Sequence, residues 1–408
     1  MSTTSIKRLK RDCWSKLPDD LLNAISKDIN TKFETIQFRS VCQSWRSSTP
    51  RTPRFFSPIL PLPILDDHDL KFTRPGSCKL VENTIYTLRP KGQLQPLPES
   101  VSSWLIKVEE ESRNVVHLID PLLRCCKDFS DAELKLSNFQ IYGLCKEYHL
   151  VRTDNDSRFS PKRGIHYSRS DVDVRKVVLS STASNNNFVI MAIRHWRSLV
   201  VFKHGDVAWT EFVIKGQDAR FDDIIHYKGQ FIFVDSTGQT FVLDPYTLSS
   251  TTLANRVVNS YEEASICVDS TRRLIISNKQ LFLVDIYVEE HDLNWSRDSY
   301  GQCTPIECKV FVLDEEKQQW VPVESLGDRV FLVNPQGSYS ISAFDFPGCK
   351  RNCILLTDYH FHLDREKNAF SHNIGVFDLK NGTFEELADS SYLLFWPPPT
   401  WISIPNSD

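Results

Sequence analysis

The sequence predicts an α+β protein of two parts, a small three-helix unit followed by a large all-β domain of the propeller type. Apolar residues recur at helical spacing only before about residue 49. A proline-dense segment follows, and beyond it short strand-like apolar runs return at a regular interval. These three observations divide the chain into residues 12–48, 49–63 and 64–405.

Length and composition are those of an ordinary globular protein. The chain has 408 residues, 41% hydrophobic and 25% charged, which argues against a wholly disordered chain. The net charge of −4 gives no general attraction to nucleic acid or to an anionic membrane, so neither is an expected partner. Eleven cysteines without a disulfide framework, and no apolar leader, predict reduced thiols and hence a protein of the cytoplasm or the nucleus.

Residues 12–48 carry the pattern of three short helices. Pro18 suits the first turn of a helix, and Asp19 and Asp20 complement the positive end of its dipole. Apolar residues recur every three or four positions in the first helix and continue in the next two: Leu17, Leu21, Leu22, Ile25, Ile29, Phe33, Ile36, Phe38, Val41, Cys42 and Trp45. Because three short helices form only a very small core, we expect part of this apolar surface to be exposed and to bind a helical partner.

Residues 49–63 contain five prolines, at positions 50, 53, 58, 61 and 63. That density disfavours helix and predicts an extended, stiff connector. Phe55, Phe56, Ile59 and Leu60 are large apolar side chains, so we expect the connector to lie partly over the β domain.

The β domain is predicted from repeated hairpins. FVIMAI begins at Phe188, FIFVDS at Phe231 and LIISNK at Leu274, with 43 residues between successive starts. The second and third runs are each followed by a short polar turn and another apolar run, which is typical of a hairpin. Recurrence at this interval is typical of propeller blades, and about seven such units fit the remaining length. A pair of β-sandwiches is the alternative, but it explains the interval less well. The interval breaks after residue 285, where we expect a long loop between strands.

A second repeat consists of an apolar strand that ends in aspartate. HLIDPLL, FVLDPYT, FVLDEEK and GVFDLKN begin at residues 117, 241, 311 and 375. Aspartate suits this position because its carboxylate accepts hydrogen bonds from the backbone N–H groups of the following turn.

The N-terminal pattern is specific enough to indicate a family. LPDDLL-x2-I, followed after a spacer by F-R-S-V-C-x-x-W-R-S, resembles the F-box over residues 14–48. This resemblance implies a module that binds the Skp adaptor of Skp–cullin–F-box ubiquitin ligases, and through it the cullin and RING subunits. Carried over by position, the residues that would form the adaptor surface or its immediate support are Leu17, Pro18, Leu22, Ile25, Val41, Cys42 and Trp45. Ser26 departs from the family pattern, in which an aliphatic residue often follows the isoleucine.

The distal region also resembles a known domain. The segments Asp314–Val333 and Ser342–Asp358, with GVFDLKNGTFEEL and WPPPTWISIP, are similar to a plant domain related to kelch-type propellers and commonly fused to an F-box. The resemblance covers most of 170–405. It implies a plant F-box protein whose propeller receives target proteins.

No catalytic, metal or cofactor site is predicted. The sequence lacks the phosphate-loop, nucleophile-elbow and HExxH motifs. The pairs Cys303/Cys308 and Cys349/Cys353 do not have zinc-knuckle spacing, so we expect buried thiols, with the Pro-Gly before Cys349 forming a turn between blades.

The remaining polar and aromatic groups are given structural roles. We expect His195 beside Trp196, and Asp222 and Asp223 near His226, to lie in solvated loops. A few of the bulky groups on or near predicted loops could line the ligand-facing end of the propeller, but for most of them we expect packing between blades: Trp196, Trp209, Phe221, Trp295 and Tyr300.

The sequence therefore predicts a non-catalytic subunit that holds an unidentified target protein on a ubiquitin ligase. Two other classes stay open. One is an F-box scaffold or regulator that works without a cullin, and failure to recover a Skp-family protein in a pull-down would favour it. The other is an enzymatic or sugar-binding propeller, which a compact carboxylate cluster at one end of the central channel would favour.

Overall fold

A computed structural model describes most of the β domain and part of the N-terminal unit. The described residues are 17–27, 35, 38–48, 57–63, 76–91, 103–112, 115–122, 139–153, 172, 174–181, 187–194, 197–214, 220–257, 268–289, 304–334, 336–357 and 374–396. Within these ranges, no helix combines the length and the apolar character needed to cross a bilayer.

The N-terminal unit contributes helix α1 (Asp19–Lys27) and helix α2 (Gln43–Ser48), with a helical turn at residues 38–40 before α2. Ile29, Phe33 and Ile36 of the predicted apolar series lie outside the described residues.

The rest of the described chain is almost entirely β-structure, arranged in four sheets of nine, four, four and five strands. The first sheet contains β1 (Ile59–Pro61), β2 (Ser77–Pro90), β3 (Trp104–Ser112), β4 (Val115–Ile119), β5 (Phe139–Arg152), β6 (Val174–Ser181), β7 (Phe188–Arg194), β8 (Leu199–Lys203) and β9 (Thr210–Phe212). The second contains β10 (Phe221–Tyr227), β11 (Gln230–Asp235), β12 (Thr240–Leu243) and β13 (Ser250–Ala254).

The third sheet contains β14 (Val268–Ser277), β15 (Gln280–Glu289), β16 (Thr304–Asp314) and β17 (Gln319–Pro322). The fourth contains β18 (Arg329–Val333), β19 (Ser338–Ser342), β20 (Cys353–Thr357), β21 (Ile374–Asp378) and β22 (Thr383–Glu386), and a short helix α3 (Asp389–Tyr392) follows it.

These strands form a propeller-like ring. The nine-stranded sheet joins two halves, β1–β5 and β6–β9, through a single pair of opposed residues, Tyr148 and Val177. Each of the resulting five groups of strands contributes one strand to a closed series of contacts. In this series β5 contacts β6, β6 contacts β10, β10 contacts β14, β14 contacts β19, and β19 contacts β5. We therefore describe the units as blades 1 to 5, comprising β1–β5, β6–β9, β10–β13, β14–β17 and β18–β22. The described residues form fewer blades than the seven expected from length, because several strands are long, such as β2 and β5 with 14 residues each.

The predicted hairpins are confirmed. Strand β11 pairs with β12, and β14 pairs with β15, both antiparallel. The β14–β15 turn has positive φ at Asn278 (49°) and Lys279 (63°), as a two-residue turn of the I′ type requires. The long segment after residue 285 connects two paired strands, because Glu289 of β15 lies opposite Thr304 of β16.

The aspartates that end apolar strands cap the following turns, as predicted. Asp244 Oδ1 accepts hydrogen bonds from the N–H groups of Tyr246 (2.9 Å) and Thr247 (2.7 Å), and the Thr247 bond lowers the pKa of this carboxyl. The same two-bond arrangement occurs at Asp314 and Asp378, while Asp120 accepts one bond from the N–H of Leu122.

The junction between blades 5 and 1 holds one of the hydrophobic clusters. Ile85 and Leu105 of blade 1 pack there with Val330 and Leu355 of blade 5. The segment after α3 adds Phe395 to the same cluster, together with Tyr392 and Trp396. The C-terminal part of the described chain therefore covers the junction that closes the ring.

Candidate docking surface and charged centre

The first candidate site is the apolar surface of the N-terminal unit. Helix α1 begins after Pro18, whose carbonyl oxygen accepts from the N–H groups of Leu21 and Leu22 at 3.1 Å each. Asp19 and Asp20 occupy the first turn, as predicted from the helix dipole.

Side-chain and backbone contacts hold helix α2 against the helical turn at residues 38–40. The rings of Phe38 and Trp45 lie 4.4 Å apart, and the N–H of Val41 donates to the carbonyl of Phe38 at 3.2 Å. Arg39 Nη1 donates to the carbonyl of Arg46 (2.9 Å), and Arg46 Nε donates to the carbonyl of Arg39 (3.1 Å). These reciprocal bonds hold the last turn of α2 beside the turn at residues 38–40.

The predicted docking residues fall into two groups. Leu22 is fully buried (0% exposed), and Leu17, Cys42 and Trp45 are half-buried, so these four support the unit from within. Pro18, Ile25 (39% exposed) and Val41 (51%) face outward. Leu21, which was not among the seven predicted docking residues, is exposed as much as Val41 (51%), because it lies beside the buried Leu22 on α1. We call Pro18, Leu21, Ile25 and Val41 the apolar surface of the unit.

Cys42 lies immediately before α2. Its Sγ is 3.1 Å from Ser44 Oγ, and this hydrogen bond lowers the pKa of the thiol. Its carbonyl accepts from the N–H of Arg46 at 3.0 Å, so Cys42 also supplies the first backbone bond of the helix.

The second candidate site is a buried charged cluster at the centre of the ring. Asp222 and Asp223 were expected in a solvated loop, and this expectation is wrong. They lie in strand β10 and are 3% and 1% exposed. A β-bulge between Phe221 and Asp223 interrupts the register with β11 at this point, which allows two neighbouring carboxylates to turn inward.

The two carboxylates connect blade 3 to the blades on either side. Asp223 accepts from Lys176 Nζ of blade 2 at 2.6 Å and from the N–H of Leu274 in blade 4 at 2.7 Å. Asp222 accepts from Arg197 Nη1 at 3.0 Å and from the N–H of Arg272 at 3.2 Å. The two N–H groups belong to β14, which is the terminal strand of its sheet, so the carboxylates satisfy donors on an open sheet edge.

Arginines and a third carboxylate complete the cluster. Arg272 Nη2 lies 3.4 Å from Asp285 Oδ2, and Arg273 Nη1 donates to the carbonyl of Asp222 at 2.9 Å. Tyr287 donates its hydroxyl to Asp285 at 2.9 Å, and burial raises the pKa of Tyr287, so that hydroxyl stays protonated.

This arrangement fits a structural link between blades. The carboxylates of Asp222, Asp223 and Asp285 each face an arginine or lysine, whereas acid–base work on a substrate needs an accessible carboxylate.

A cavity beside blades 1 and 2, lined in part by His149 and Lys176, has about 10 Å³, enough for one water. His226 lies three positions beyond Asp223 on β10, on the other side of the strand, and burial lowers its pKa.

The described members of the two cysteine pairs are free thiols, with Cys308 and Cys353 in strands and Cys349 in the turn before β20. Cys308 and Cys353 are buried, and Cys303 lies outside the described residues. Burial raises the pKa of Cys349 to about 11, and Cys353 Sγ donates to the carbonyl of Lys350 at 3.0 Å. Among the described residues, no group of three or more potential ligands could hold a metal ion. The Pro-Gly turn before Cys349 connects β19 and β20 of one sheet and not two blades, because both flanking strands belong to blade 5.

Two of the bulky aromatic groups are described, and both are packed. Trp209 and Phe221 are buried in the clusters on either side of blade 2. His195, Trp196, Trp295 and Tyr300 lie outside the described residues.

Sequence reasoning missed the charged cluster, although charged pairs inside two apolar strands, FDDIIHY and TRRLIIS, were a signal for it.

Comparisons with known proteins agree with this architecture. The KIB1-4 beta-propeller family model matches residues 77–378. The Arabidopsis thaliana protein named F-box protein SKIP23 is 30% identical over 417 positions, covering 96% of this chain and 95% of its own length. F-box protein At2g17036 of the same plant is 29% identical, with coverage of 96% and 95%. Putative F-box/kelch-repeat protein At5g24040, also from that plant, is 26% identical, with coverage of 95% and 98%. The chain aligns over nearly its whole length with these plant F-box proteins, and it belongs to the KIB1-4 beta-propeller family.

Proposed function

We propose that this chain is the substrate-recognition subunit of a Skp–cullin–F-box ubiquitin ligase. Residues 12–48 bind a Skp-family adaptor, which brings the cullin and RING subunits, and the propeller binds the target protein. The names of the relatives support the F-box assignment. In this proposal the adaptor contacts the apolar surface of Pro18, Leu21, Ile25 and Val41, while the other four predicted residues, Leu17, Leu22, Cys42 and Trp45, support that surface from within.

One observation carries the proposal. The described part of the N-terminal unit leaves three large aliphatic side chains exposed, at Leu21, Ile25 and Val41. Exposed aliphatic groups cost free energy in water, roughly 1.5–3 kcal/mol each when compared with full burial. Leu21 and Ile25 lie one helical turn apart on α1, and Val41 lies just before α2, which fits a helical partner that covers them.

The proposed mechanism uses binding alone. The adaptor holds one end of the chain and the propeller holds the target, so target lysines are kept at a high local concentration near a separate transferring enzyme. In this mechanism the charged cluster has no contact with ubiquitin or with the target, and it keeps the blades in register.

Adaptor binding tests the proposal directly. We expect Val41→Glu to weaken binding of a purified plant Skp-family adaptor by about 10- to 100-fold, because a charge would be buried in the interface. Asn23→Glu is the matched control, since Asn23 is an exposed polar residue on α1 outside the apolar surface. Calorimetry would give the dissociation constants, and circular dichroism would check that both variants fold.

Trp45→Ala is a second variant with a different expectation. Because the indole packs on Phe38, its loss should lower the stability of the N-terminal unit. It should also weaken the binding free energy for the adaptor by about 2–4 kcal/mol. If Val41→Glu binds the adaptor as tightly as the wild type, these residues do not form the docking surface. If the wild type binds no Skp-family adaptor, a scaffold that works without a cullin becomes the better assignment.

A further inference from the structure

The end of the proline-rich connector is built into the β domain as an additional strand. Strand β1 pairs antiparallel with β2, with Leu60 opposite Cys78. The N–H of Leu80 donates to the carbonyl of Pro58 at 3.1 Å, and the N–H of Leu62 donates to the carbonyl of Gly76 at 3.2 Å. Backbone bonds therefore extend beyond the three residues of the strand itself.

Burial fixes the same segment to the core. Leu60 is 2% exposed and packs, with Leu62, in the cluster that Leu80 and Leu150 of blade 1 share with blade 2. Ile59, the adjacent residue, is 74% exposed. The expectation that the connector would lie over the β domain is thus met at Leu60, whereas Ile59 points to solvent because neighbouring residues of a strand face opposite sides.

A tryptophan of blade 2 holds the strand from the other side. Trp209 Nε1 donates to the carbonyl of Pro61 at 2.8 Å, and its ring lies 5.5 Å from the ring of Phe202. Proline has no N–H, and an edge strand is where it can be tolerated, so Pro61 contributes only its carbonyl. We call residues 57–62 with Trp209 the β1 anchor.

We infer that the β1 anchor sets the length of the tether between the docking unit and the propeller. Eight residues separate Ser48, the end of α2, from Ser57, where the anchor begins. A chain of that length reaches at most about 31 Å between those two points. Without the anchor, the next residue that the structure describes in the β domain is Gly76, and the reach becomes at most roughly 95 Å.

This inference rests on the proposed function for its consequence. Effective concentration falls as about the −3/2 power of tether length, so release of the anchor lowers it by about fivefold. Trp209 and Leu60 are thus positioning residues, since they act on how the target is presented and contact neither the adaptor nor the transfer chemistry.

The test compares Leu60→Ser with Ile59→Ser, neighbouring residues on the same strand that differ in burial. We expect hydrogen exchange at the amides of Leu62 and Leu80 to accelerate by roughly tenfold or more in Leu60→Ser and to stay unchanged in Ile59→Ser. Small-angle X-ray scattering of the full chain should show a larger maximum dimension only in Leu60→Ser. A variant that frees these amides without enlarging the molecule, or one that keeps them protected, would overturn the inference.

Trp209→Phe keeps the test decisive if Leu60→Ser does not fold. It retains an aromatic ring against Phe202 and loses the donor to Pro61, so exchange should accelerate at Leu62 in the same direction. Unchanged exchange in a folded Trp209→Phe protein would count against the anchor. These measurements use the free chain, so a failure of the wild type to bind an adaptor would contradict the proposed function without affecting them.

Discussion

Replacing Asp223 by alanine is the most informative test of the charged centre. The carboxylate is 1% exposed and accepts from Lys176 Nζ at 2.6 Å, from the N–H of Ile224 at 2.9 Å and from the N–H of Leu274 at 2.7 Å. Asp223→Ala leaves the buried ammonium group of Lys176 and the backbone N–H groups of Ile224 and Leu274 without this acceptor. Breaking a buried ion pair in this way costs about 3–5 kcal/mol of unfolding free energy.

Urea denaturation followed by tryptophan fluorescence would measure this loss. Asp206→Ala is the control, because Asp206 is an exposed turn residue that accepts one bond from the N–H of Lys203 at 2.8 Å. Its removal should cost less than about 1 kcal/mol. The contrast between the two aspartates tests burial, since both lose a carboxylate.

A double variant separates the charge from the packing. Asp223→Leu combined with Lys176→Met removes both charges, and we expect it to be more stable than Asp223→Ala because no buried ion is left alone. A loss below about 1 kcal/mol for Asp223→Ala, or no recovery in the double variant, would refute the reasoning that this ion pair holds blades 2 and 3 together.

Two further predictions concern a thiol and a glycine. At pH 7.5, iodoacetamide should modify Cys42 faster than Cys349. The lowered pKa of Cys42 populates its thiolate, whereas burial raises the pKa of Cys349 to about 11. Peptide mass spectrometry after timed quenching would measure the two rates, and equal rates would contradict this prediction. Gly337→Ala should lower the unfolding free energy by about 1–3 kcal/mol, because its Cβ would collide with the side chain of Glu147, which Lys107 holds in a buried pair; an unchanged urea midpoint would contradict this.

Local patterns in the sequence predicted the hairpins and the aspartate-capped turns, because each depends on residues only a few positions apart. The 43-residue interval was a less direct guide. Phe188 and Phe231 lie in equivalent second strands of blades 2 and 3, whereas Leu274 lies in the first strand of blade 4. The interval therefore indicated repetition correctly, but it did not mark the same strand in every blade. The hairpin at Leu274 consists of the first two strands of blade 4, whereas the runs at Phe188 and Phe231 are second strands.

The charged centre could not be derived from neighbours in the sequence. The residues adjacent to Asp223 in the sequence suggest a loop. Its hydrogen-bond donors are distant in the sequence, since Lys176 is 47 positions away and Leu274 is 51 positions away. Burial of a charge is tolerated only where partners from other strands neutralise it, and those partners are brought close by the ring. The apolar series of the N-terminal unit was predicted from helical spacing within one short segment, but that spacing placed Leu21, Leu22 and Ile25 on one stripe and did not predict that Leu22 is buried while Leu21 is exposed.

Both ends of the described β domain are fastened to blade 1, and this gives that blade two roles. At the N-terminal end, β1 pairs with β2. At the C-terminal end, Trp104 Nε1 donates to the carbonyl of Phe395 at 3.1 Å, and Tyr392 donates its hydroxyl to Asp120. Tyr339 of blade 5 also donates to the carbonyl of Pro121 at 2.8 Å. Blade 1 therefore pairs with the residues that follow the N-terminal unit and also holds the C-terminal end of the described chain, because β2 binds β1 while Trp104 of β3 and Asp120 bind the segment at Tyr392 and Phe395.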